Sequence, residues 1–313
     1  MQLIAYILVY PILWLISILP FRLLYGFSDI VYFFMYRIFG YRKSVVKENL
    51  RLVFPDKSEQ EIASITSKFY HHFCDMMFEA IKSLTISEAE INKRFKFSNV
   101  ELINDLEKKQ RSIILMCAHY GSWEWIFILQ KHVKHKGYAV YKRLANKHFD
   151  KLVKRIRAKY NSHLITTKET YGVLLESKKK RELTINGFVS DQTPKANKAF
   201  HWNEFMGIKV PMHTGAEILA KKLDMAVVFF SVKRIKRGYY ETTFQTITEH
   251  PKEFKDYEIT DLFFKLVEKR NLKIITSSEL KALQEELLNA QDALDASAAG
   301  LDQVVNIDTT NEM

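Results

Sequence analysis

Residues 111–125 read RSIILMCAHYGSWEW, and the fold turns on them. The charged Arg111 leads into a short, unbroken apolar run that ends at Ala118, the pattern of a strand buried on both faces. Gly121 supplies a turn and Ser122 a polar start for a helix. A strand, a turn and a helix are therefore expected in that order. Two further runs have the same character, LTINGFV at 183–189 and MAVVFFSV at 225–232. Basic amphipathic helices are expected between them, at 149–160 and 215–223. Buried strands alternating with helices predict an α/β domain with a mostly parallel central sheet flanked by helices. Residues 239–247 (YYETTFQTI) alternate and suit a more exposed, antiparallel strand.

The turn in this stretch carries two groups with chemistry, His119 and Glu124. On one continuous helix they would stand about 140° apart, because each residue advances about 100°. With His119 at the end of a strand and Glu124 in the first turn of a helix, the chain folds back and the two can meet. A carboxylate that holds one ring nitrogen fixes the tautomer and leaves the other nitrogen as a general base. No serine or cysteine nucleophile is then needed if a substrate hydroxyl attacks, as in acyl transfer from a thioester to an alcohol. A core histidine beside a helix-capping glutamate fits the same spacing, and the residues alone leave both readings open. Cys74 and Cys117 have neither metal-ligand spacing nor a disulfide framework. No second histidine stands at ligand spacing from the pair, so no metal is expected; no cofactor is expected either.

Residues 1–21 contain no charged side chain, and about 20 apolar residues are enough to cross a bilayer. Residues 1–22 are accordingly expected to form a membrane anchor, a transmembrane helix. Pro11 and Pro20 make a helix lying in the interface a competitor. A buried helix of a soluble core is the third reading. Arg22, Arg37, Arg42, Lys43 and Lys47 follow, placing the rest of the chain on the cytoplasmic side. Pro55 is a helix stop; Ser58 with Glu59 and Glu61 opens a helix to about Leu84, and Ser87 with Glu90 opens another. The formal charge of +11 is uneven, because residues 271–313 hold two Lys against eight Asp and Glu. Such a basic body suits an anionic membrane, an acidic protein or nucleic acid. The basic residues are scattered over several helices without a recognition motif, which argues against nucleic acid. The expected organisation is an anchor (1–22), a catalytic domain (23–270) and an acidic, loosely ordered tail (271–313).

Several dispersed motifs together resemble the lipid A biosynthesis acyltransferases, the lauroyl and myristoyl transferases of the wider His-x4-Asp/Glu superfamily. They are the apolar N-terminus, Arg42 with Asn49-Leu50 and Phe54-Pro55, Glu79, and His119-Tyr-Gly-Ser-Trp-Glu124. Tyr141-Lys-Arg-Leu-Ala-Asn146, Arg157, Asp191-Gln192, Phe205-Met-Gly207 and Thr214-Gly-Ala-Glu-Ile-Leu-Ala220 continue the likeness to about residue 268. The resemblance implies a glycerolipid-acyltransferase-like domain, His119 as general base and Glu124 as its orienting partner. It offers Arg157 for an oxyanion or an anionic substrate group, and Arg143 and Asn146 for a phosphate or sugar. Asp191 and Gln192 would reach the same cleft. It further implies an acyl carrier protein as donor, a phosphorylated glycolipid, a lipid A precursor, as acceptor, and the bacterial inner membrane as location. Residues 271–313 depart from the family's Trp-, His- and Arg-rich ending. Two alternatives stand beside this: the same chemistry on a lysophospholipid, amino-acid lipid or other glycolipid, and a catalytically silent membrane-surface scaffold.

Overall fold

A computed structural model describes residues 2–194 and 199–270. The expected tail, 271–313, lies outside the described residues. The chain opens with helices α1 (Gln2–Ile18), α2 (Phe21–Tyr32), α3 (Lys43–Val53), α4 (Glu59–Lys82) and α5 (Glu88–Arg94). There follow β1 (Phe95–Phe97), α6 (Glu101–Lys108), β2 (Ile113–Cys117), β3 (Lys136–Tyr141), α7 (Lys147–Arg157), β4 (His163–Thr166), α8 (Thr170–Lys179) and β5 (Thr184–Val189). The hairpin β6 (Trp202–Phe205) and β7 (Ile208–Pro211), helix α9 (Gly215–Leu223), and strands β8 (Ala226–Lys236) and β9 (Tyr239–Thr248) complete the order.

Seven strands form one sheet in the order β1-β9-β8-β2-β5-β3-β4. All neighbours are parallel except β8 and β9, which are antiparallel. Strand β2 lies at the centre between β8 and β5, and all five of its residues are buried. A strand covered on both faces and both edges must be apolar throughout, which is why its sequence shows no alternation. Ile113, Leu115 and Cys117 join Val228, Phe230, Trp125, Ile128 and Phe95 in the main apolar cluster. Each such side chain contributes about 1.5–3 kcal/mol when fully buried.

The N-terminal segment differs from the transmembrane reading. Among the described residues no helix is long and apolar enough to cross a membrane. Helix α1 has 17 residues, about 25 Å at 1.5 Å per residue, against a hydrocarbon core of about 30 Å. The chain breaks at Leu19-Pro20, and Pro20 caps the start of α2. The C-terminal end of α1 is held in protein: Lys82 Nζ donates to the carbonyls of Ser17 and Leu19, both at 2.7 Å, and the Thr85 hydroxyl donates to Ser17. Elsewhere α1 and α2 expose apolar side chains, among them Leu3, Ile4, Ile7, Leu8, Ile12, Leu15, Leu23 and Phe27, and Phe33 and Phe34 follow in a π-helical turn. At the other end of α1, the Gln2 amide donates to the Ala145 carbonyl at 3.2 Å.

Helix α4 ties the N-terminal helices to the sheet. Its start is a capping box: Ser58 Oγ accepts from the Glu61 N–H, and the Glu61 carboxylate accepts from the Ser58 N–H. Two carboxylates further along are fully buried. Asp75 accepts from Ser28, from Arg234 of β8 and from Arg237 of the β8–β9 turn, while Glu79 accepts from Tyr25 and Tyr240, both at 2.7 Å. Asp29 and His71 approach Asp75, but Arg237 donates to both carboxylates, which makes the cluster an ion-pair network.

Candidate active site

Parallel register builds the site. Leu115 stands opposite Gly187 and Cys117 opposite Val189, and the Ser190 N–H donates to the Cys117 carbonyl at 3.0 Å just beyond the paired residues. Two residues further on along both chains, His119 and Asp191 are brought face to face at the strand ends. His119 Nδ1 lies 2.7 Å from Asp191 Oδ1, and the His119 N–H donates to Asp191 Oδ2 at 2.8 Å. One carboxylate thus grips both the ring and the backbone of the histidine. With Nδ1 carrying the proton toward Asp191, Nε2 is the basic nitrogen left for a substrate. The His119 ring also meets the Trp123 indole edge to face, with centroids 5.2 Å apart.

The turn after His119 needs a glycine. Gly121 has φ +63°, and a Cβ there would stand 2.6 Å from Val232 Cγ1. The helix expected after this turn is a 3-10 helix, Trp123–Lys131. Trp125, Phe127, Ile128 and Leu129 are all buried in it, so the segment is enclosed in the core rather than amphipathic. Trp125 is anchored from below: its indole N–H donates to the Glu79 carbonyl and to Ser83 Oγ. Burial pushes the Glu79 carboxyl upward, against the hydroxyls of Tyr25, Tyr240 and Ser122 that bond to it.

Glu124 lies in the first turn as expected, but its oxygens are taken by Arg157. Arg157 Nε donates to Oε2 at 3.0 Å and a guanidinium N–H to Oε1. The direct His119–Glu124 contact is therefore not made; Asp191 holds the imidazole instead. The reason is reach: α7 ends beside the 3-10 helix, where a bidentate guanidinium matches the carboxylate plane. The Arg157 guanidinium also sits 5.6 Å from the centre of the Trp123 ring, so Trp123 lies between the two polar pairs.

A cavity of about 670 Å³ opens at these strand ends. His119, Trp123, Arg157 and Gln192 line it, together with apolar residues that include Leu115, Phe127, Ala139, Ile185 and Val189. Arg143 and Asn146 are not among its lining. Arg143 is exposed and pairs with Glu169 at 3.1 Å. Asn146 is the N-cap of α7, accepting from the His148 and Phe149 N–H groups, and its amide donates to the Gln2 carbonyl. The structure thus gathers His119, Glu124, Arg157, Asp191 and Gln192 and sets Arg143 and Asn146 apart. Trp123 and His213 also line the cavity, and the sequence reading gives neither a role. Trp123 stood inside the motif, where an aromatic beside an acid was a usable signal. His213 precedes α9 with no local pattern to mark it, and burial holds its imidazole below the usual histidine range.

Residues 2–274 match the family model described as bacterial lipid A biosynthesis acyltransferase. The chain is also similar to the lipid A biosynthesis lauroyltransferase of Escherichia coli (strain K12), 26% identical over 172 residues. That alignment takes in 54% of this chain and 55% of the relative, so the likeness spans about half the length of each.

Proposed function

We propose, from the premise that this chain belongs to the bacterial lipid A biosynthesis acyltransferase family, that it moves a fatty acyl group from an acyl carrier protein thioester to a hydroxyl of a phosphorylated lipid A precursor. The observation that carries this reading is the His119–Asp191 pair, with Nδ1 engaged, at the lining of a largely apolar cavity. The acceptor hydroxyl gives its proton to His119 Nε2 as its oxygen attacks the thioester carbonyl. Asp191 stabilises the imidazolium that forms. The negative charge on the carbonyl oxygen is met by Arg157, which Glu124 and Trp123 hold in place. When the intermediate collapses, the C–S bond breaks and His119 returns the proton to the leaving sulfur.

The surroundings support the proposed partners. Helix α7 exposes Lys147, Lys151 and Arg155 near the cavity wall that Val153 and Arg157 of the same helix form. A positive rim suits both an acidic carrier protein and a phosphorylated lipid. The exposed apolar side chains of α1 and α2 suit docking into one leaflet, the catalytic domain lying on the cytoplasmic side of the inner membrane. In this reading the N-terminal helices lie in the interface.

Transfer of radiolabelled acyl groups from acyl carrier protein to the precursor tests the reading. His119→Ala is expected to lower the rate about 10²–10⁴-fold while leaving the circular dichroism spectrum unchanged. Retained transfer in that variant would remove the mechanism. Mass spectrometry of lipids from cells with and without the gene identifies the acceptor: loss of one acyl chain from lipid A is expected, and a change confined to another lipid would reassign it.

A further inference from the structure

We infer that Gly187 is a specificity-determining residue: it leaves open the arm of the cavity that measures the acyl chain. The inference rests on the acyl-transfer reading above. In the parallel sheet Gly187 stands between Leu115 and Ala139, on the same face as Cys117 and, one step further, His119. This layer lies four residues below His119 along the strand direction, about 13 Å. Below it, Ile185 stands opposite Gly137. That lower layer is plugged, because a Cβ on Gly137 would lie 2.0 Å from the Gln130 side-chain oxygen. The Gln130 amide is fixed in turn by the His135 carbonyl at 2.7 Å.

Nothing in the backbone asks for glycine at 187. Its φ is not in the left-handed region, and the only atom near a Cβ built there is the Tyr138 carbonyl oxygen, at an ordinary 3.7 Å. Glycine inside a strand weakens it and often marks a bulge, a tight bend or the close approach of a ligand or another backbone; the register of β5 with β2 runs unbroken through Gly187, so there is no bulge there. What Gly187 supplies is empty space, continuous with Ala139 beside it, between the reacting end at His119 and the Gln130 plug. A straight acyl chain entering past His119 would run over Gly187 and stop at Gln130. Any side chain at 187 would shorten that run by one layer of the sheet.

The test uses the whole protein and a ladder of saturated acyl carrier protein donors, from octanoyl to palmitoyl, with a phosphorylated lipid A precursor as acceptor. The readout is the ratio of kcat/KM between long and short donors, in which the folded fraction cancels. Gly187→Val should shift the preferred donor to a shorter chain and lower the long-to-short ratio at least about tenfold. Gly187→Ala should shift it in the same direction by less. Valine suits a strand, so melting temperature should hold or rise. An unchanged ratio in both variants, with transfer intact, overturns the role of Gly187 and leaves acyl transfer standing. So does a lower melting temperature with an unchanged ratio. Absence of transfer from every donor by the wild-type protein removes the acyl-transfer reading, and this assignment with it.

Discussion

At the residue scale, the two carboxylates near His119 divide the work unequally. Asp191 touches the imidazole and Glu124 touches Arg157, so removing their charges should have different costs. Asp191→Asn is expected to lower kcat about 10²–10⁴-fold, because the ring loses its orienting acceptor. Glu124→Gln should cost less in kcat and weaken the hold on Arg157. Steady-state kinetics of the two variants decide it; a larger loss in Glu124→Gln would mean that Glu124 serves the histidine during the reaction. Gly121→Ala should destabilise the fold by about 2–5 kcal/mol, combining a left-handed residue with overpacking against Val232. Thermal unfolding measures it. His119 was legible in the sequence because its setting is local, a strand end followed by Gly121. The bond to Asp191 was not, since it depends on the pairing of β2 with β5, seventy-two residues apart.

At the scale of elements, α4 shows what an apolar pattern hides. Its capping box and its aromatic run could be read directly from Ser58, Glu61 and the residues that follow. Asp75 and Glu79 look like surface acids on that helix, yet both are fully buried. Their partners Arg234, Arg237 and Tyr240 lie about 160 residues away, on the β8–β9 hairpin. His72 on the same helix makes a pH test possible. Burial first, and then Arg234, hold its imidazole down to about 4 from an ordinary 6.5. The unfolded chain therefore binds the proton at a higher pH than the folded one. Stability from this group is fully present above about pH 6.5 and is lost as the pH falls toward 4. Urea unfolding across that interval should show a declining midpoint, and His72→Phe should flatten the decline. An equally steep decline in the variant would assign the titration elsewhere.

At the scale of the molecule, the proposed membrane docking predicts sedimentation with vesicles that contain anionic lipid. Charged substitutions at Leu8 and Ile12, both exposed on α1, should release the protein without unfolding it. Sedimentation unaffected by both changes would place the docking face elsewhere. Raised salt should weaken binding only in part, because apolar burial is not screened. The α/β plan was visible from the alternation of buried runs with amphipathic helices. Counting apolar residues favours a spanning helix over 1–22, and although Pro11 and Pro20 signal a competing interfacial helix, nothing local to the segment reveals the grip of Lys82 on the end of α1. The strand order carries a consequence for biosynthesis. Strand β2 is complete only when β5 and β8 flank it, and β8 begins at Ala226. As the ribosome makes the protein, the segment bearing His119 emerges long before its second neighbour exists. The nascent chain must carry an apolar strand with an open edge for more than a hundred codons, which exposes it to aggregation until β8 has been made.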